Sequence, residues 1–424
     1  MYKNNSIVVL GAGFGGLRAA LVLAKKIKAE RLDASVTLID QNKYHTYTPT
    51  LYEIATTSKE TANYCQLKEI VTFPVADIVK GVPIKFINDK VTNLDLLAGD
   101  VHCGGKILKF NYLVIAAGSE TNYFGVPGLK EEAYALKSFT DALEIRDALL
   151  DLAQTKKDCI EIVIGGGGST GVELAGELQL WVKQLQQEFH CQTRITIVQA
   201  GPTILPGFEE KIIKTAEKRL AKLGVNISTN ETIKGAANGI AMLESQRGLA
   251  YDILIWTGGV RAPQLVGDMP VKTEIKGRMV ANEGLECLPQ TPELKLYGMI
   301  YALGDAVCFY DPVTKKPIPG VARAAISQAD VVAHNIIERL RAGKNSNYTA
   351  KPIQYKPMEY PYVIPIGGKY AIAKLGPIIL SGFSGWVLKG LVELNYLLSI
   401  MSFWRAIKLW LKGLSIFVKN DRLG

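Results

Sequence analysis

Apolar runs and helical patterns alternate along the chain from Ser6 to about Ala117. The continuous apolar run at residues 6–10 is typical of a buried strand, and residues 17–24 continue as a helix after a glycine-rich turn. A second strand is predicted at residues 36–40, and a third begins at Tyr112 and runs into a turn. This alternation of strand and helix predicts an α/β fold.

The same pattern returns in the second part of the chain. After a helical stretch at residues 140–153, residues 160–164 are predicted as a strand, residues 172–181 as a helix and residues 194–199 as a second strand. The unit closes at residues 251–261, where another apolar strand meets a glycine turn. The sequence therefore predicts two similar strand–helix–strand units and no shorter internal repeat.

Each unit carries a glycine-rich turn between its first strand and its helix, and the two turns stand about 155 positions apart. In such a turn one glycine makes the bend, one lets a pyrophosphate approach the backbone, and one lets the helix pack closely. The helix N-terminus then faces the phosphates with its free amides and its dipole. The sequence thus predicts two bound dinucleotides, held at Gly11, Gly13 and Gly16 and at Gly166, Gly168 and Gly171.

The residue that ends the second strand differs between the two units. Asp40 follows Gly16 by 24 positions, where a carboxylate accepts a hydrogen bond from a ribose hydroxyl. In the second unit this place is taken by Gln199, whose amide keeps the hydrogen bond but does not repel the 2′-phosphate of NADPH. No arginine follows immediately to bind that phosphate. We expect the chain to use NADH and to tolerate NADPH.

Composition places the chain among globular proteins large enough for two or three cores, because it has 424 residues of which 48% are hydrophobic and 21% charged. Its formal net charge of +9 suits an anionic partner. Basic clusters interleaved with aromatic residues are absent, so we expect no nucleic acid and attribute the charge to a membrane surface. Six scattered cysteines form no CxxC pair, which favours a reducing compartment. No metal site is predicted.

The chain returns to its first fold at residues 300–306, where Asp305 ends a strand. A carboxylate at this place can accept hydrogen bonds from the ribityl hydroxyls of a flavin, and it can also cap the helix that follows. The nested order predicts an FAD-binding domain in two parts, with an NAD(P)-binding domain inserted. The expected ranges are 1–120 and 266–380 for the FAD domain, 121–265 for the NAD(P) domain and 381–424 for a C-terminal amphipathic region.

The C-terminal region combines apolar runs with basic residues. Lys389 and Glu393 interrupt the first run, and a spanning helix needs ~20 nearly uncharged residues, so spanning is disfavoured. Further along, helical spacing predicts an apolar face opposite a basic face, the pattern of a helix lying in a membrane interface, where each cation adds ~1 kcal/mol. A core or dimer helix is the alternative. The apolar face comprises Phe403, Ile407, Trp410, Leu411, Leu414, Phe417 and Val418, and the polar face Arg405, Lys408, Lys412, Ser415 and Lys419.

Several stretches resemble the type II NADH dehydrogenases, single-subunit flavin NADH:quinone oxidoreductases that do not pump protons. The most specific are residues 36–45, 49–55, 113–125 and 255–262, and the amphipathic tail is similar as well. The resemblance covers essentially the whole chain. It implies a flavoprotein fold with two dinucleotide-binding domains, FAD bound without a covalent bond, and peripheral docking on the cytoplasmic side of a prokaryotic cell membrane.

The resemblance also implies a catalytic residue. Glu173 matches a glutamate that the family places near the nicotinamide and the flavin, although a first-turn carboxylate favoured by the helix dipole is the alternative interpretation. Further contacts are expected at Gly258 for NAD(P) and, for FAD, at Ala12, Gly15, Val91, Ala117, Gly118, Ala322 and Lys389.

One departure from the family concerns the quinone site. The family usually has glutamines lining the quinone pocket after the flavin aspartate, whereas this chain has Arg323 and Ser327 at those positions and retains only the adjacent Gln328. An arginine could hydrogen-bond a quinone carbonyl, or it could mark a different acceptor. We take Arg323, Ser327 and Gln328 as the candidate quinone residues.

The function expected from these features is hydride transfer from NADH, or NADPH, to FAD and then two-electron reduction of a membrane quinone. A rival is an NADPH-dependent reductase of a biosynthetic quinone, which Gln199 and Arg323 would suit. A sulfide:quinone oxidoreductase needs a cysteine late in the chain, and none follows Cys308. A flavin sensor without enzymatic activity is disfavoured by two complete dinucleotide sites. The apolar tail could also pair two subunits as a homodimer.

Overall fold

The computed structural model describes residues 5–155, 159–267, 269–294, 296 and 298–420. Its contacts divide the chain into two compact units. Unit 1 consists of Met1–His45, Phe73–Glu120 and Val260–Tyr360, and unit 2 of Thr46–Thr72, Thr121–Gly259 and Pro361–Gly424. The domain ranges expected from the sequence follow chain order and stay a prediction, while this division groups residues 46–72 and everything after residue 360 with unit 2.

Helices and strands alternate through most of the described chain. The helices are α1 (Phe14–Glu30), α2 (Leu51–Ile54), α3 (Tyr64–Val71), α4 (Val75–Ile78), α5 (Leu129–Glu132), α6 (Phe139–Thr155), α7 (Ser169–Phe189), α8 (Glu210–Leu223), α9 (Gln264–Gly267), α10 (Ala322–Lys344), α11 (Phe383–Ile400) and α12 (Phe403–Asn420). Short 3-10 turns lie at Thr48–Thr50 and Gly304–Ala306.

The strands are short, as expected for an α/β protein. They are β1 (Asn5–Leu10), β2 (Ala34–Asp40), β3 (Tyr44–Thr46), β4 (Thr72–Pro74), β5 (Ile84–Asn88), β6 (Val91–Asp95), β7 (Asp100–Cys103), β8 (Lys106–Lys109), β9 (Tyr112–Ile115), β10 (Glu120–Thr121), β11 (Ala133–Ala135), β12 (Cys159–Gly165), β13 (Gln192–Gln199), β14 (Asn226–Thr229), β15 (Ile233–Ala237), β16 (Ile240–Leu243), β17 (Gly248–Ala250), β18 (Ile253–Trp256), β19 (Val260–Arg261), β20 (Met279–Val280), β21 (Ile300–Ala302), β22 (Val307–Cys308), β23 (Tyr362–Pro365), β24 (Ala371–Leu375) and β25 (Ile378–Gly382).

Unit 1 is built on a five-stranded sheet with the order β21-β9-β1-β2-β5, in which all neighbours are parallel. The helices α1 and α10 pack against each other along this sheet. Val8, Ile39, Leu113 and Ile300 belong to one buried cluster, because strands at the centre of such a sheet are covered on both faces. A small antiparallel sheet of β6, β7 and β8 is attached.

Unit 2 repeats this architecture with the parallel order β11-β18-β12-β13-β14. Its long helix α7 buries Trp181 completely. An antiparallel sheet of β23, β24 and β25 belongs to the same unit and packs against α11. The predicted α/β fold with two Rossmann-like units is confirmed, although α1 begins at Phe14 and α7 at Ser169, three residues before the predicted helix starts.

In α11, the first of the two C-terminal helices, two charged side chains lie on the side that packs on the protein. Lys389 and Glu393, which interrupt the apolar run in the sequence, have largely buried side chains. The opposite face is apolar, since residues at spacings of four and seven are 60, 41, 50 and 39% exposed: Phe383, Val387, Leu391 and Leu398. Among the described residues, no helix has the length and apolar composition needed to cross a bilayer.

The last helix, α12, has three sides rather than the two that the sequence predicts. One side packs on the protein, where Phe417 is buried and the indole Nε1 of Trp410 donates to the carbonyl of Gly390 at 2.8 Å. A second side exposes Phe403 and Leu411 together with Trp404, Val418 and half-buried Ile407 and Leu414. The third carries the basic residues. Trp410 and Phe417 thus leave the predicted lipid-facing side, because α12 needs apolar contacts to α11 and α3 as well.

Candidate functional site

The first glycine turn follows β1 at the centre of the unit 1 sheet. Gly11 has a φ of +97°, and a Cβ there would collide with the carbonyl oxygen of Ala116. A Cβ on Gly16 would collide with the carbonyl oxygen of Gly11, so α1 lies too close to the strand for any side chain at this position. Gly13, at the N-cap of α1, faces open space. This cradle fits the pyrophosphate of a dinucleotide, because it lies at the N-terminus of α1, where the helix dipole favours an anion.

Asp40 stands at the end of β2 beside this turn. Its Oδ2 accepts a hydrogen bond from the amide of Ala12 at 2.6 Å, and its Oδ1 accepts one from the amide of Asn42 at 2.7 Å. Burial raises the pKa of this carboxyl, and the two backbone hydrogen bonds oppose that shift. Each carboxylate oxygen has a further lone pair. Asp40 therefore has the chemistry to accept a ribose hydroxyl while it fixes the turn.

A buried histidine supports the same turn from the other side. The Nδ1 of His45 lies 2.9 Å from the carbonyl oxygen of Ala12. Burial lowers the pKa of His45 to about 4, so the ring is neutral and its Nδ1 carries the proton that the carbonyl accepts. The ring lies between Phe14 and Phe73. His45 was not predicted as a site residue, although it ends one of the family-like stretches, residues 36–45.

The remaining predicted FAD residues of unit 1 fall into two groups. Ala117 and Gly118 follow β9, and the Cα of Ala117 would lie 3.2 Å from a Cβ on Gly11. Asp305 accepts a hydrogen bond at its Oδ2 from the hydroxyl of Ser119 at 2.8 Å, which places it at the same sheet edge. Of the other three, Gly15 lies on the first turn of α1 and packs against Leu303, Val91 belongs to β6, and Ala322 begins α10.

The candidate quinone residues lie on the first two turns of α10. The side chain of Arg323 is exposed, whereas Gln328 is buried and its Oε1 accepts from the amide of Gly304 at 2.7 Å. The hydroxyl of Ser327 lies 2.7 Å from that of Tyr360, which is a further 2.7 Å from that of Tyr355. Gln328 thus fixes the turn that carries Asp305. The tyrosine hydroxyls were not predicted, because they lie about thirty residues further along the chain.

The second glycine turn, in unit 2, has nearly the same geometry. Gly166 has a φ of +112°, and a Cβ there would lie 2.6 Å from the Cα of Gly258. A Cβ on Gly171 would collide with the carbonyl oxygen of Gly166. Gly168 is the N-cap of α7 and faces open space. Gln199 ends β13, and its Oε1 accepts a hydrogen bond from the amide of Gly167 at 2.8 Å. The predicted NAD(P) residues are therefore brought together.

Lys389 of unit 2 interacts with three carboxyls, those of the buried Glu53 and Glu393 and that of the partly exposed Glu173. Its ammonium forms an ion pair with Glu53, which is 1% exposed, and lies 5.4 Å from the ring centroid of Tyr52. Burial raises the pKa of Glu173 to about 8 and that of Glu393 to about 7, and in both cases the charge of Lys389 opposes the shift. One ammonium faces three carboxyls, so protons are held here at neutral pH. Glu53 and Glu393 were not predicted as functional residues.

Comparison with known proteins gives the family. The model for "Pyridine nucleotide-disulphide oxidoreductase" matches residues 5–329. A type II NADH:quinone oxidoreductase of Staphylococcus haemolyticus is 31% identical over 348 residues, which are 78% of this chain and 81% of the relative. The chain belongs to this family. The type II NADH:quinone oxidoreductase of Staphylococcus aureus is 30% identical over 353 residues, 80% of this chain and 83% of the relative.

Solved structures show the same fold at lower identity. The structure titled NDH2 from Plasmodium falciparum in complex with NADH matches with a TM-score of 0.81 and 19% identity, over 100% of this chain and 99% of that one. A sulfide:quinone oxidoreductase from Aquifex aeolicus matches with a TM-score of 0.75 and 21% identity, over 98% and 96%. These two likenesses concern the fold. The predicted resemblance to type II NADH dehydrogenases is confirmed by the closer relatives.

In this type II NADH:quinone oxidoreductase, each unit contains one glycine turn. The residues predicted to bind the cofactors are distributed over the two units. Unit 1 holds the predicted FAD residues except Lys389, which lies with Glu53 in unit 2. Unit 2 holds the predicted NAD(P) residues and Glu173, which is the fifth residue of α7 and lies beyond its first turn, so the alternative of a first-turn carboxylate does not apply. The role of each residue stays a prediction. The cradle at Gly11 and the acceptor at Asp40 fit FAD, and FAD is typical of this enzyme family.

Proposed function

We propose that the protein oxidises NADH and reduces a membrane quinone, with FAD held by unit 1 and the nicotinamide nucleotide by unit 2. The observation that carries this proposal is the repeated glycine turn, since each unit has two glycine positions without room for a side chain and a side-chain acceptor beside them. Membership in the type II family supports a quinone as the acceptor. FAD supplies the redox chemistry when it is bound, because no amino-acid side chain transfers hydride.

In unit 1, the chain orients the cofactor. Backbone amides at the start of α1 bind the pyrophosphate, Asp40 accepts from the ribose, and Asp305 accepts from the ribityl hydroxyls. In unit 2, Gln199 accepts from the adenosine ribose of NADH. A neutral amide at this place leaves NADPH as a second donor.

Glu173 holds a proton on its carboxyl at neutral pH, since burial raises its pKa to about 8. Oxidation of NADH delivers two electrons and one proton as a hydride, and a quinone needs two protons to become a quinol. The second proton has to reach the reaction from a protein group or from water. We propose that Glu173 carries it, with Lys389 adjusting the acidity of the carboxyl.

Arg323 is proposed as the group that binds a quinone carbonyl. Its guanidinium is exposed, while Ser327 is engaged with Tyr360 and Gln328 with Gly304. An arginine donates several hydrogen bonds and stabilises negative charge on a reduced quinone. This assignment makes Arg323 the replacement for the glutamine that the family usually has.

The membrane face is proposed to consist of the exposed sides of α11 and α12. Phe383, Leu391, Trp404 and Leu411 are each at least half exposed, and basic residues of α12 flank them. Apolar side chains bordered by lysine and arginine suit the boundary between acyl chains and anionic headgroups. With this face in the membrane surface, the protein would reach a quinone dissolved in the lipid without spanning the bilayer. Docking on the cytoplasmic side of the cell membrane is part of this proposal.

Turnover tests the reaction. FAD-loaded protein is assayed for oxidation of NADH and of NADPH, each with and without a short-chain quinone. Quinone-dependent oxidation with NADH preferred is the expected result. A marked preference for NADPH would support the biosynthetic quinone reductase instead, and reduction of the flavin without quinone turnover would contradict a quinone acceptor. Arg323→Met is expected to lose quinone turnover and to retain turnover with ferricyanide.

Vesicle binding tests the membrane face. Leu391→Ser combined with Trp404→Ser is expected to weaken sedimentation with anionic vesicles and to leave FAD content unchanged. The control is Ile240→Ser, because Ile240 is an exposed apolar residue on β16 of the same unit, 46% exposed against 50% for Leu391. Equal binding of both variants would contradict the proposed face, and loss of dimerisation in the double variant would identify it as a subunit interface.

A further inference from the structure

Phe124 has an unusual backbone conformation for an aromatic residue. Its φ is +53°, in the left-handed region that bulky residues rarely adopt, and its side chain is 57% exposed. Strain of this kind persists only where neighbouring structure holds it, and such residues cluster at binding and catalytic sites. Burial of the ring does not explain the conformation, because more than half of the side chain is open to solvent.

Hydrogen bonds from unit 2 hold Phe124 in this conformation. The amide of Phe124 donates to the Oδ1 of Asn122 at 2.9 Å. Asn122 itself is fixed at both backbone groups, since its amide donates to the carbonyl of Gly259 at 3.0 Å and its carbonyl accepts from the indole of Trp256 at 2.8 Å. The turn that presents Phe124 is thus fastened to the end of β18.

The Phe124 ring lies over the glycines that follow β18. It packs edge to face on Trp256, with the ring centroids 6.5 Å apart and an interplanar angle of 78°. A Cβ on Gly259 would lie 2.8 Å from the Cζ of Phe124. The neighbouring Gly258 lies against Gly166 of the glycine turn, and the hydroxyl of Thr257 donates to the carbonyl of Gly166 at 2.9 Å. Only the segment of residues 257–259 therefore separates Phe124 from the glycine turn at Gly166.

The strand order decides which half of the nucleotide Phe124 would meet. In this sheet β12 carries the glycine turn, with β13 on one side and β18 on the other. A nucleotide on such a turn places its adenosine ribose at the end of the second strand, which here is β13 with Gln199, and its pyrophosphate at the helix N-terminus. The other half of the molecule extends toward the end of β18. That half carries the nicotinamide ring.

We infer that Phe124 is a positioning residue that packs against the nicotinamide half of NADH and fixes its orientation. The inference rests on the proposed function, because it takes a nicotinamide nucleotide as the ligand of unit 2. An aromatic ring gives an offset-stacked or edge-to-face contact of defined geometry to a planar ring. Because hydrogen bonds already fix the backbone of Phe124, less conformational entropy is lost when a ligand binds against its ring.

Binding of two ligands to the FAD-loaded protein, with its flavin chemically reduced beforehand so that NADH cannot transfer hydride to it, tests the inference by calorimetry. NADH contains the nicotinamide, whereas ADP-ribose has the same adenosine, pyrophosphate and second ribose but lacks the nicotinamide ring. Phe124→Ala is expected to weaken NADH by about tenfold, the size of one aromatic contact, and to leave ADP-ribose unchanged. Phe124→Tyr should restore NADH binding. The control is Phe189→Leu at the far end of α7, which should change neither ligand.

Thermal unfolding gives a second readout that a purely structural role would not produce. Phe124→Gly relieves the left-handed strain, so its melting temperature is expected to match or exceed that of the parent protein while its NADH affinity falls. Equal weakening of ADP-ribose and NADH, or a lower melting temperature in Phe124→Gly, would overturn the inference. A parent protein that binds neither ligand would instead refute the proposed function, so the two failures are distinguishable.

Discussion

The two glycine turns of this chain are nearly superimposable in their internal contacts. In unit 1 the amide of Gly11 donates to the carbonyl of Ile39, and in unit 2 the amide of Gly166 donates to that of Val198, both at 2.8 Å. Ala12 and Gly167, the next residues, each donate to the side chain that ends the second strand. The glycines thus build one cradle twice, and they do not explain why the two units would take different ligands.

The difference lies in two side chains at equivalent places. The acceptor is the carboxylate of Asp40 in unit 1 and the neutral amide of Gln199 in unit 2. On the helix, Arg18 stands seven positions after Gly11 and is partly exposed in an ion pair with Asp330, whereas Glu173 stands seven positions after Gly166 with a pKa raised by burial. At this position similar backbones therefore carry a cationic guanidinium in unit 1 and a carboxyl that keeps its proton at neutral pH in unit 2, and a bound ligand would distinguish the two.

The largest expected effect comes from the glycines that both turns share. Gly16→Ala should abolish FAD retention, and Gly171→Ala should leave FAD bound while weakening NADH by at least about 100-fold, because overpacking at such a site costs roughly 1–3 kcal/mol before any contact with the ligand is lost. Flavin absorbance measures the first effect, and NADH titration of protein whose flavin has been reduced beforehand measures the second.

Gly343→Ala is the matched control for these substitutions. Gly343 lies in α10, and a Cβ added there would have no heavy atom within 4 Å, so its replacement should be neutral or slightly stabilising. If Gly16→Ala and Gly171→Ala affected both ligands equally, the assignment of one ligand to each turn would be wrong.

Exchange of the acceptor should sharpen the comparison. Gln199→Asp places a carboxylate where a 2′-phosphate would lie, so the ratio of kcat/KM for NADH to that for NADPH is expected to rise by about tenfold or more. The reciprocal Asp40→Asn keeps an oxygen for the Ala12 amide and should weaken FAD without changing this ratio. An unchanged ratio in Gln199→Asp would show that Gln199 does not meet the ribose.

The carboxyl of Glu173, unlike its counterpart Arg18, should make the free energy of unfolding depend on pH. The folded chain binds the Glu173 proton more tightly than the unfolded chain, so this carboxyl adds no cost below its ordinary pKa of 4.5 and destabilises the fold as the pH rises toward about 8. Glu173→Gln removes this loss. Urea unfolding at pH 5.5 and 8.5 is expected to show a smaller decrease for the variant.

The control carries the same substitution at the other end of the helix. Glu188→Gln removes an exposed carboxyl near the C-terminus of α7 and should keep the decrease of the parent protein. If Glu173→Gln and the parent protein lost the same free energy of unfolding over this pH range, Glu173 would not be the carboxyl that holds its proton at neutral pH.

The smallest effect is expected at Arg18. Its ion pair with Asp330 joins side chains that are 36 and 44% exposed, and pairs of this kind contribute about 0–1 kcal/mol. A double-mutant cycle of Arg18→Met and Asp330→Asn should give a coupling free energy below about 1 kcal/mol that decreases with added salt. A large, salt-independent coupling would mean that this position matters in unit 1 as Glu173 does in unit 2.

Local patterns in the sequence were sufficient for the two sheets and the two cradles. Strands such as β1 and β12 each contain a short apolar run, and the glycine spacing marks the turn that follows each of them. The helix starts were placed three residues late, because the third glycine of each turn already lies inside the first helical turn. These strands and turns are determined by residues that are close in the sequence, and they could therefore be predicted from it.

The set of glutamate carboxyls that interact with Lys389 could not be predicted in the same way. Glu53 and Lys389 are 336 positions apart, and only the folded chain shows that they form a pair. In the sequence, Lys389 and Glu393 look like interruptions of an apolar helix, whereas four-residue spacing places both on its inner side. The hydroxyls of Tyr355 and Tyr360 beside Ser327 were missed for the same reason.

The inward turn of Lys389 and Glu393 has a practical consequence for handling the protein. With its charges on the inside, α11 presents an outer side on which Phe383, Val387 and Leu391 are uninterrupted by a charge. Exposed apolar area of this kind is what detergents coat and what neighbouring copies cover when detergent is removed. Extraction from lipid should therefore need detergent or high salt, and the size of the particle in aqueous buffer should depend on protein concentration.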